Sequence, residues 1–433
     1  MSTCMTRRLS RSRSFAAAAL VAGLIGAPAL PGILATTSAA PPVSTTAPFS
    51  TPNTDSCPNK TAPPPAIDAS EVPEPGDPAP APLPVQSPPI GGDKLGACGL
   101  VLPDGAPPLP ADLSATAWVI ADLDTGRVLA AKDPHGRYRP ASTIKVLLAA
   151  VALRSLDLGK VVVGTQEDAN ADGTRVGIGP GGRYTNKQLM QALIMASGND
   201  AAHAVAMQLG GPKATVEKMN DLAKRLRALD TRAATPSGLD GPGMSTSAYD
   251  LAALFREAMT IPTFAELIHT EQVDFPGFPA NPQIPGDQDH PGFPIANDNH
   301  LLYDYEGTLG GKTGYTDDAR QTFVSAAERG GHRLVVTLLQ AEVLPIRPPQ
   351  QAARLLDYGF ALASGASVGE LPDGSATASN TNVAVASPPP HDSDTAAPAE
   401  QHNENLLTVL IVGGLAAALV LAIAAWRLTG RSR

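Results

Sequence analysis

The sequence predicts a mixed α+β domain of about 250 residues, with a sheet built from its two ends and helices between them. Three observations predict it. Strand-like runs open the domain at 117–122 and 127–131. Others close it at 309–316, 321–327 and 333–339. The residues between carry the three- and four-residue apolar spacing of helices rather than strand alternation.

Each element has a local cause. Asp124-Thr125-Gly126 is turn chemistry, so the first two strands form a β-hairpin. A helix is expected over 142–156, with Pro140 near its start and Leu147, Leu148, Val151 and Leu153 apolar. Helices at 186–196 and 200–209 flank Ser197-Gly198-Asn199. An amphipathic helix follows at 213–229 and another helix at 247–259. Residues 274–300 are rich in Pro, Gly and Asp and read as a long loop, either a rim over a site or a surface insertion. A helix over 350–361 completes a domain assigned to 115–362.

The flanks differ in composition. Of 433 residues, 43 are Pro, and many of these crowd into 41–114, which reads as an extended, semi-rigid spacer. Residues 363–405 read as a low-complexity linker. Residues 1–40 have the form of a signal peptide: Arg7, Arg8, Arg11 and Arg13, an apolar run, then Ser38-Ala39-Ala40. Residues 406–426 carry no charge and, at ~1.5 Å per residue, match a bilayer core of ~30 Å as a transmembrane helix. Arg427, Arg431 and Arg433 then place a short tail, 427–433, in the cytoplasm. The expectation is a single-pass protein of the cytoplasmic membrane with its domain outside the cell. In that oxidising compartment Cys57 and Cys98, the pair left once Cys4 departs with the signal, are expected to form a disulfide.

Charge and histidine placement exclude other classes. A net charge of -9 without a basic stripe argues against nucleic acid as a partner. The eight histidines are scattered and form no metal-ligand spacing, so neither metal nor other cofactor is expected.

Three short motifs occur in order within the domain: Ser142-Thr143-Ile144-Lys145, Ser197-Gly198-Asn199 and Lys312-Thr313-Gly314. Singly each is weak; a capped helix, a helical connection and a turn would account for them. Together they assemble a nucleophile and its base. Residues three apart on a helix share a face, so Lys145 lies beside the Ser142 hydroxyl. Burial and a second cation, Lys312, would keep Lys145 neutral and basic. Ser197 can pass a proton to a leaving amine. Asn199 can position Lys145 or a substrate amide. Lys312 and Thr313 suit a substrate carboxylate. Gly314 lets the strand approach closely, and the backbone N–H groups of Ser142 and Tyr315 are candidate oxyanion donors.

The set matches the signature of penicillin-binding proteins and serine β-lactamases. With Ser197–Ala202, Val216–Asn220, Thr235–Gly243 and Gly310–Thr316, the domain resembles the D-alanyl-D-alanine carboxypeptidase family, in its actinobacterial form. The resemblance implies a β-lactamase/D,D-peptidase-like fold, an antiparallel sheet flanked by helices with an all-helical lobe. It implies an acyl-enzyme on Ser142, Lys145 as base, Ser197 as proton relay and Lys312 as substrate holder. Its substrates would be peptidoglycan stem peptides ending in D-Ala-D-Ala, with β-lactam antibiotics as inhibitors. Arg347 stands roughly where the family often has an arginine for the substrate carboxylate, though Pro345, Pro348 and Pro349 disturb the match. The family's small β-domain has no counterpart before the apolar segment.

Two other functions share the motifs. A class A β-lactamase needs a glutamate that activates water, and Glu217 with Asn220 is the nearest candidate, on a helix face that reads as exposed. A membrane-tethered penicillin or peptidoglycan sensor needs a cytoplasmic output, for which seven residues are too few. His203 beside the Ser197 motif reads as helix surface.

Overall fold

The computed structural model describes residues 49–373. In chain order the strands are β1 (Leu100–Val101), β2 (Ala117–Asp122), β3 (Arg127–Lys132), β4 (Val161–Val163), β5 (Arg183–Thr185), β6 (Gln272–Phe275), β7 (Phe293–Ala296), β8 (Thr308–Thr316), β9 (Arg320–Arg329), β10 (His332–Ala341) and β11 (Gly369–Glu370). The helices are α1 (Lys145–Ser155), α2 (Gln166–Ala169), α3 (Asn186–Met195), α4 (Asn199–Gln208), α5 (Pro212–Arg225), α6 (Ala248–Ala258), α7 (Pro262–His269), α8 (Leu301–Asp304) and α9 (Pro348–Ala361).

The main sheet is antiparallel and runs β1-β3-β2-β10-β9-β8, with β11 also on β3. Both ends of the domain contribute to it, as the strand pattern predicts. Side chains alternate across a strand, so central strands feed two cores. On β2, Val119 and Ala121 join the core under α1 and α6, while Trp118 and Ile120 join the one under α9. On β10, Val335 and Leu339 take the first side and Leu334, Val336 and Leu338 the second. β8 ends the path, so its outer edge has no strand partner among the described residues.

Helix α1 is apolar nearly all round and buried from Lys145 to Ala152, as a central core helix must be. Helix α3 starts at a capping box: the Thr185 hydroxyl accepts from Gln188 N, and the Gln188 amide oxygen accepts from Thr185 N. Ser247 caps α6 through Asp250 N.

Four sequence expectations need correction. The Ser142 helix begins later: 141–144 is a tight 3-10 turn and regular α-helix starts at Lys145. The helical lobe also carries a ribbon, β4 with β5. Residues 274–300 are not a structureless loop, because β6 and β7 pair as a hairpin arm and Phe278 bridges His290 beyond them. Phe278 packs against Gly179, where a Cβ would sit 2.1 Å from its ring.

The fourth correction concerns 41–114. Over its described part this stretch is a strap laid on the domain, not a spacer. Proline-rich chain lacks N–H donors but keeps its carbonyls, and arginines of the domain take them. Arg137 donates to Thr61 O at 2.8 Å, Leu83 O at 2.5 Å and Pro84 O at 2.9 Å. Arg232 donates to Ala81 O at 2.9 Å. Cys57 and Cys98 are joined in a disulfide, their Cα atoms 5.1 Å apart. At the other end the domain continues past 362: β11 adds to the sheet and Leu371 is buried. The signal peptide (1–40), the segment 406–426 and the tail 427–433 lie outside the described residues, as does most of the 363–405 linker. Among the described residues no helix is long and apolar enough to cross a membrane.

Candidate active site

The 3-10 turn puts Ser142 and Lys145 in register. Residues three apart eclipse in that geometry, and Lys145 Nζ lies 2.9 Å from Ser142 Oγ. Nζ also donates to Asn199 Oδ1 at 2.7 Å and to Ser237 O at 2.6 Å. Both of those are pure acceptors and take two of its N–H bonds. In the neutral amine this leaves the lone pair for the Ser142 hydroxyl proton.

Electrostatics agree with a neutral Lys145. Burial holds its pKa well below the usual lysine range, the Lys312 charge adds to the effect, and Asp200 opposes it. Lys312 is itself held down to about 8 by burial, against the opposing Asp298 carboxylate. Its ammonium donates to Thr313 O at 2.8 Å.

Two residues at the centre have left-handed backbone, Ala141 with φ 47° and Ser197 with φ 59°. Such conformations cost about 1–3 kcal/mol each and persist where surrounding structure holds them. Around Ala141 it is a wall: Gly238 has φ +91°, and a Cβ there would stand 2.1 Å from Ala141 O. Pro140 O accepts from the Thr143 hydroxyl at 2.6 Å and the Thr322 hydroxyl at 2.7 Å.

Gly314 sits where β8 crosses this turn. A Cβ on it would lie 2.8 Å from Ser142 N and 3.0 Å from Thr143 N. Only a residue without a side chain lets the edge strand and the nucleophile meet. Tyr315, next along, is half-exposed on the rim.

Asn199 is clamped from behind: its N donates to Thr174 O and its Nδ2 to Asp172 O, both at 2.7 Å. Asp200 secures the same loop by accepting from Val176 N, Gly177 N and Ile178 N.

The structure thus gathers Ser142, Lys145, Asn199, Lys312 and Gly314. Ser197 is buried at the head of α4, next to Asn199. Thr313 follows Lys312 on β8. Arg347 is exposed at the head of α9, and none of the described hydrogen bonds ties it to the site. Ser237 O, Asp298 and the Asp172–Ile178 loop were not legible as site parts. A backbone carbonyl has no residue signature, and the loop joins the site only through folding. Glu217 is exposed on α5, and the Asn220 amide is tied to Ala233 backbone. His203 bonds Asp168 at 2.6 Å.

Among the described residues one group could offer ligands to a metal, His135, Asp230 and Asp250. Its atoms already have protein partners: His135 Nδ1 is 2.7 Å from Asp230 Oδ2, and Asp250 Oδ2 accepts from Asp230 N and the Thr231 hydroxyl.

A serine beside a buried lysine whose pKa is held well down, between a helical lobe and the β8 edge of the sheet, defines a serine hydrolase that works through an acyl-enzyme. Comparison with known proteins gives the family. The D-alanyl-D-alanine carboxypeptidase family matches residues 105–343, and the chain belongs to it. It is 48% identical over 275 residues to a D-alanyl-D-alanine carboxypeptidase of Mycobacterium tuberculosis, covering 63% of this chain and 90% of that one. It is 29% identical to one of Bacillus subtilis, of which it spans 62%. Among solved structures, a D-alanyl-D-alanine carboxypeptidase from Mycobacterium tuberculosis superposes with a TM-score of 0.58 at 46% identity, over 63% of this chain and all of that one. A Streptomyces DD-transpeptidase gives 0.54 at 27% identity, over 59% and 100%. The strap residues 49–104 precede the family match.

Proposed function

We propose that this serine D-alanyl-D-alanine carboxypeptidase removes the terminal D-alanine of peptidoglycan stem peptides with Ser142 as nucleophile. The position of Lys145 Nζ carries the reading. Ser142 Oγ attacks the carbonyl of the penultimate D-alanine while its proton passes to Lys145. The oxyanion rests on the N–H groups of Ser142 and Tyr315. The C–N bond then breaks, the departing amine takes a proton through Ser197, and D-alanine leaves. Water attacks the remaining ester and restores Ser142. Lys312 and Thr313 hold the terminal carboxylate, and Arg347 is a candidate second cation for it. A β-lactam presents a similar carboxylate and strained amide and acylates the same serine.

The chain's own flanks suggest where this happens. An arginine-led apolar leader, and an uncharged 406–426 segment followed by arginines, fit a domain held outside the cytoplasmic membrane.

Intact-mass measurement after incubation with benzylpenicillin tests the nucleophile. One adduct on the peptide containing Ser142 is expected. An adduct on any other residue would contradict the assignment. Protease digestion of intact spheroplasts tests the topology: the domain should be cut from outside, and full protection would place it within.

A further inference from the structure

We infer that the disulfide-closed strap is a working part of the active site, because it clamps the two backbone segments that carry the oxyanion donors. The inference rests on the Ser142 mechanism above.

The two clamps are symmetric about the donors. Glu71, on the strap, takes Arg139 in a bidentate pair, Nε at 2.5 Å and Nη2 at 2.8 Å. Arg139 is buried and lies three residues before Ser142. Four residues earlier on the strap, Ile67 N donates to Asp318 Oδ1 at 2.7 Å. Asp318 is buried and lies three residues after Tyr315, in the turn that ends β8. One short piece of strap therefore holds both flanks of the oxyanion site.

The charges draw the same elements together. Arg139 faces Glu71, Asp318 and also Asp240, three residues beyond the Ser237 carbonyl that holds Lys145. One guanidinium thus links the strap, the nucleophile turn, the Ser237 loop and the β8 turn. The Cys57–Cys98 disulfide closes the loop containing both Ile67 and Glu71, and the Arg137 bonds pin that loop at Thr61 and Leu83. Glu71 and Arg139 are positioning residues, which act through the backbone they hold. An oxyanion donor works only where it is held at hydrogen-bond distance from the developing charge, so loosening its backbone lowers the acylation rate and not the initial binding.

The test uses the full-length chain, benzylpenicillin and stopped-flow measurement of the acylation rate constant and the preceding dissociation constant. Glu71→Ala is expected to lower the rate constant about tenfold, short of the 10²–10³ for deleting a donor outright. The dissociation constant should stay unchanged, and Glu71→Gln should recover most of the loss. Ile67→Pro removes the N–H to Asp318 while leaving the Glu71–Arg139 pair in place, and should slow acylation in the same way, which covers the case of a Glu71→Ala chain that does not fold. Arg232→Gln frees the strap from Ala81, away from the donors, and serves as the stability control: it should lower the melting temperature without changing the rate constant. Wild-type rate constants in Glu71→Ala and Ile67→Pro would overturn the inference, as would an equal slowing in Arg232→Gln. A wild-type chain that penicillin does not acylate would remove the Ser142 mechanism itself, a result distinguishable from either.

Discussion

Lys145 Nζ lies 2.9 Å from Ser142 Oγ, and its other two neighbours, Asn199 Oδ1 and Ser237 O, are acceptors. The arrangement needs no histidine. In the proposed mechanism a lysine serves as base: burial first and the Lys312 charge second lower its pKa and favour the neutral form. Carbonyl oxygens on two sides then leave its lone pair for the serine.

Asn199→Asp converts one of those acceptors into a carboxylate at about the same 2.7 Å. A negative charge at that distance stabilises the ammonium form and raises the Lys145 pKa by about 1–3 units. The acid limb of acylation, lost as pH falls through the Lys145 pKa, should move up by that amount. Stopped-flow acylation from pH 5 to 10 reads it. Recovery of rate at high pH marks a charge effect; a uniform loss at all pH values would mark simple misfolding.

Lys312 sets the opposite limb. With its pKa held down to about 8, it is charged below that pH and neutral above it. The substrate carboxylate therefore loses its cation as pH rises through about 8. KM for the peptide should rise there while kcat changes little, and Lys312→Gln should raise KM at pH 7 and abolish the limb. Steady-state kinetics across pH 6–10 gives both.

Gly314→Ala places a methyl 2.8 Å from Ser142 N and 2.4 Å from the Thr322 hydroxyl. Backbone cannot yield there without moving the nucleophile turn. Acylation should fall at least about a hundredfold, comparable to losing an oxyanion donor. Circular dichroism should still report folded protein. Near-normal acylation would show that the edge strand has more freedom than the contact allows.

The sheet, the long helices and three motifs were legible because their signals are local. Short continuous apolar runs mark β2 and β10, and Ser142 and Lys145 lie three apart in sequence. Gly314 was legible for the same reason, within a three-residue motif. What escaped depends on chain far away. Prolines at 63–65 look like a free spacer until Arg137 and Arg232 are seen taking the strap's carbonyls. The 3-10 turn at Ser142 follows from Ala141, Gly238 and Thr322, a constraint invisible to helix propensity. Ser237 enters the site through a carbonyl, which every residue has.

The most direct test is D-alanine release from a pentapeptide ending in D-Ala-D-Ala, comparing the intact chain with Ser142→Ala. The account predicts steady release by the first and none above background by the second, with both proteins folded. Release that survives in Ser142→Ala would contradict the assignment of the nucleophile.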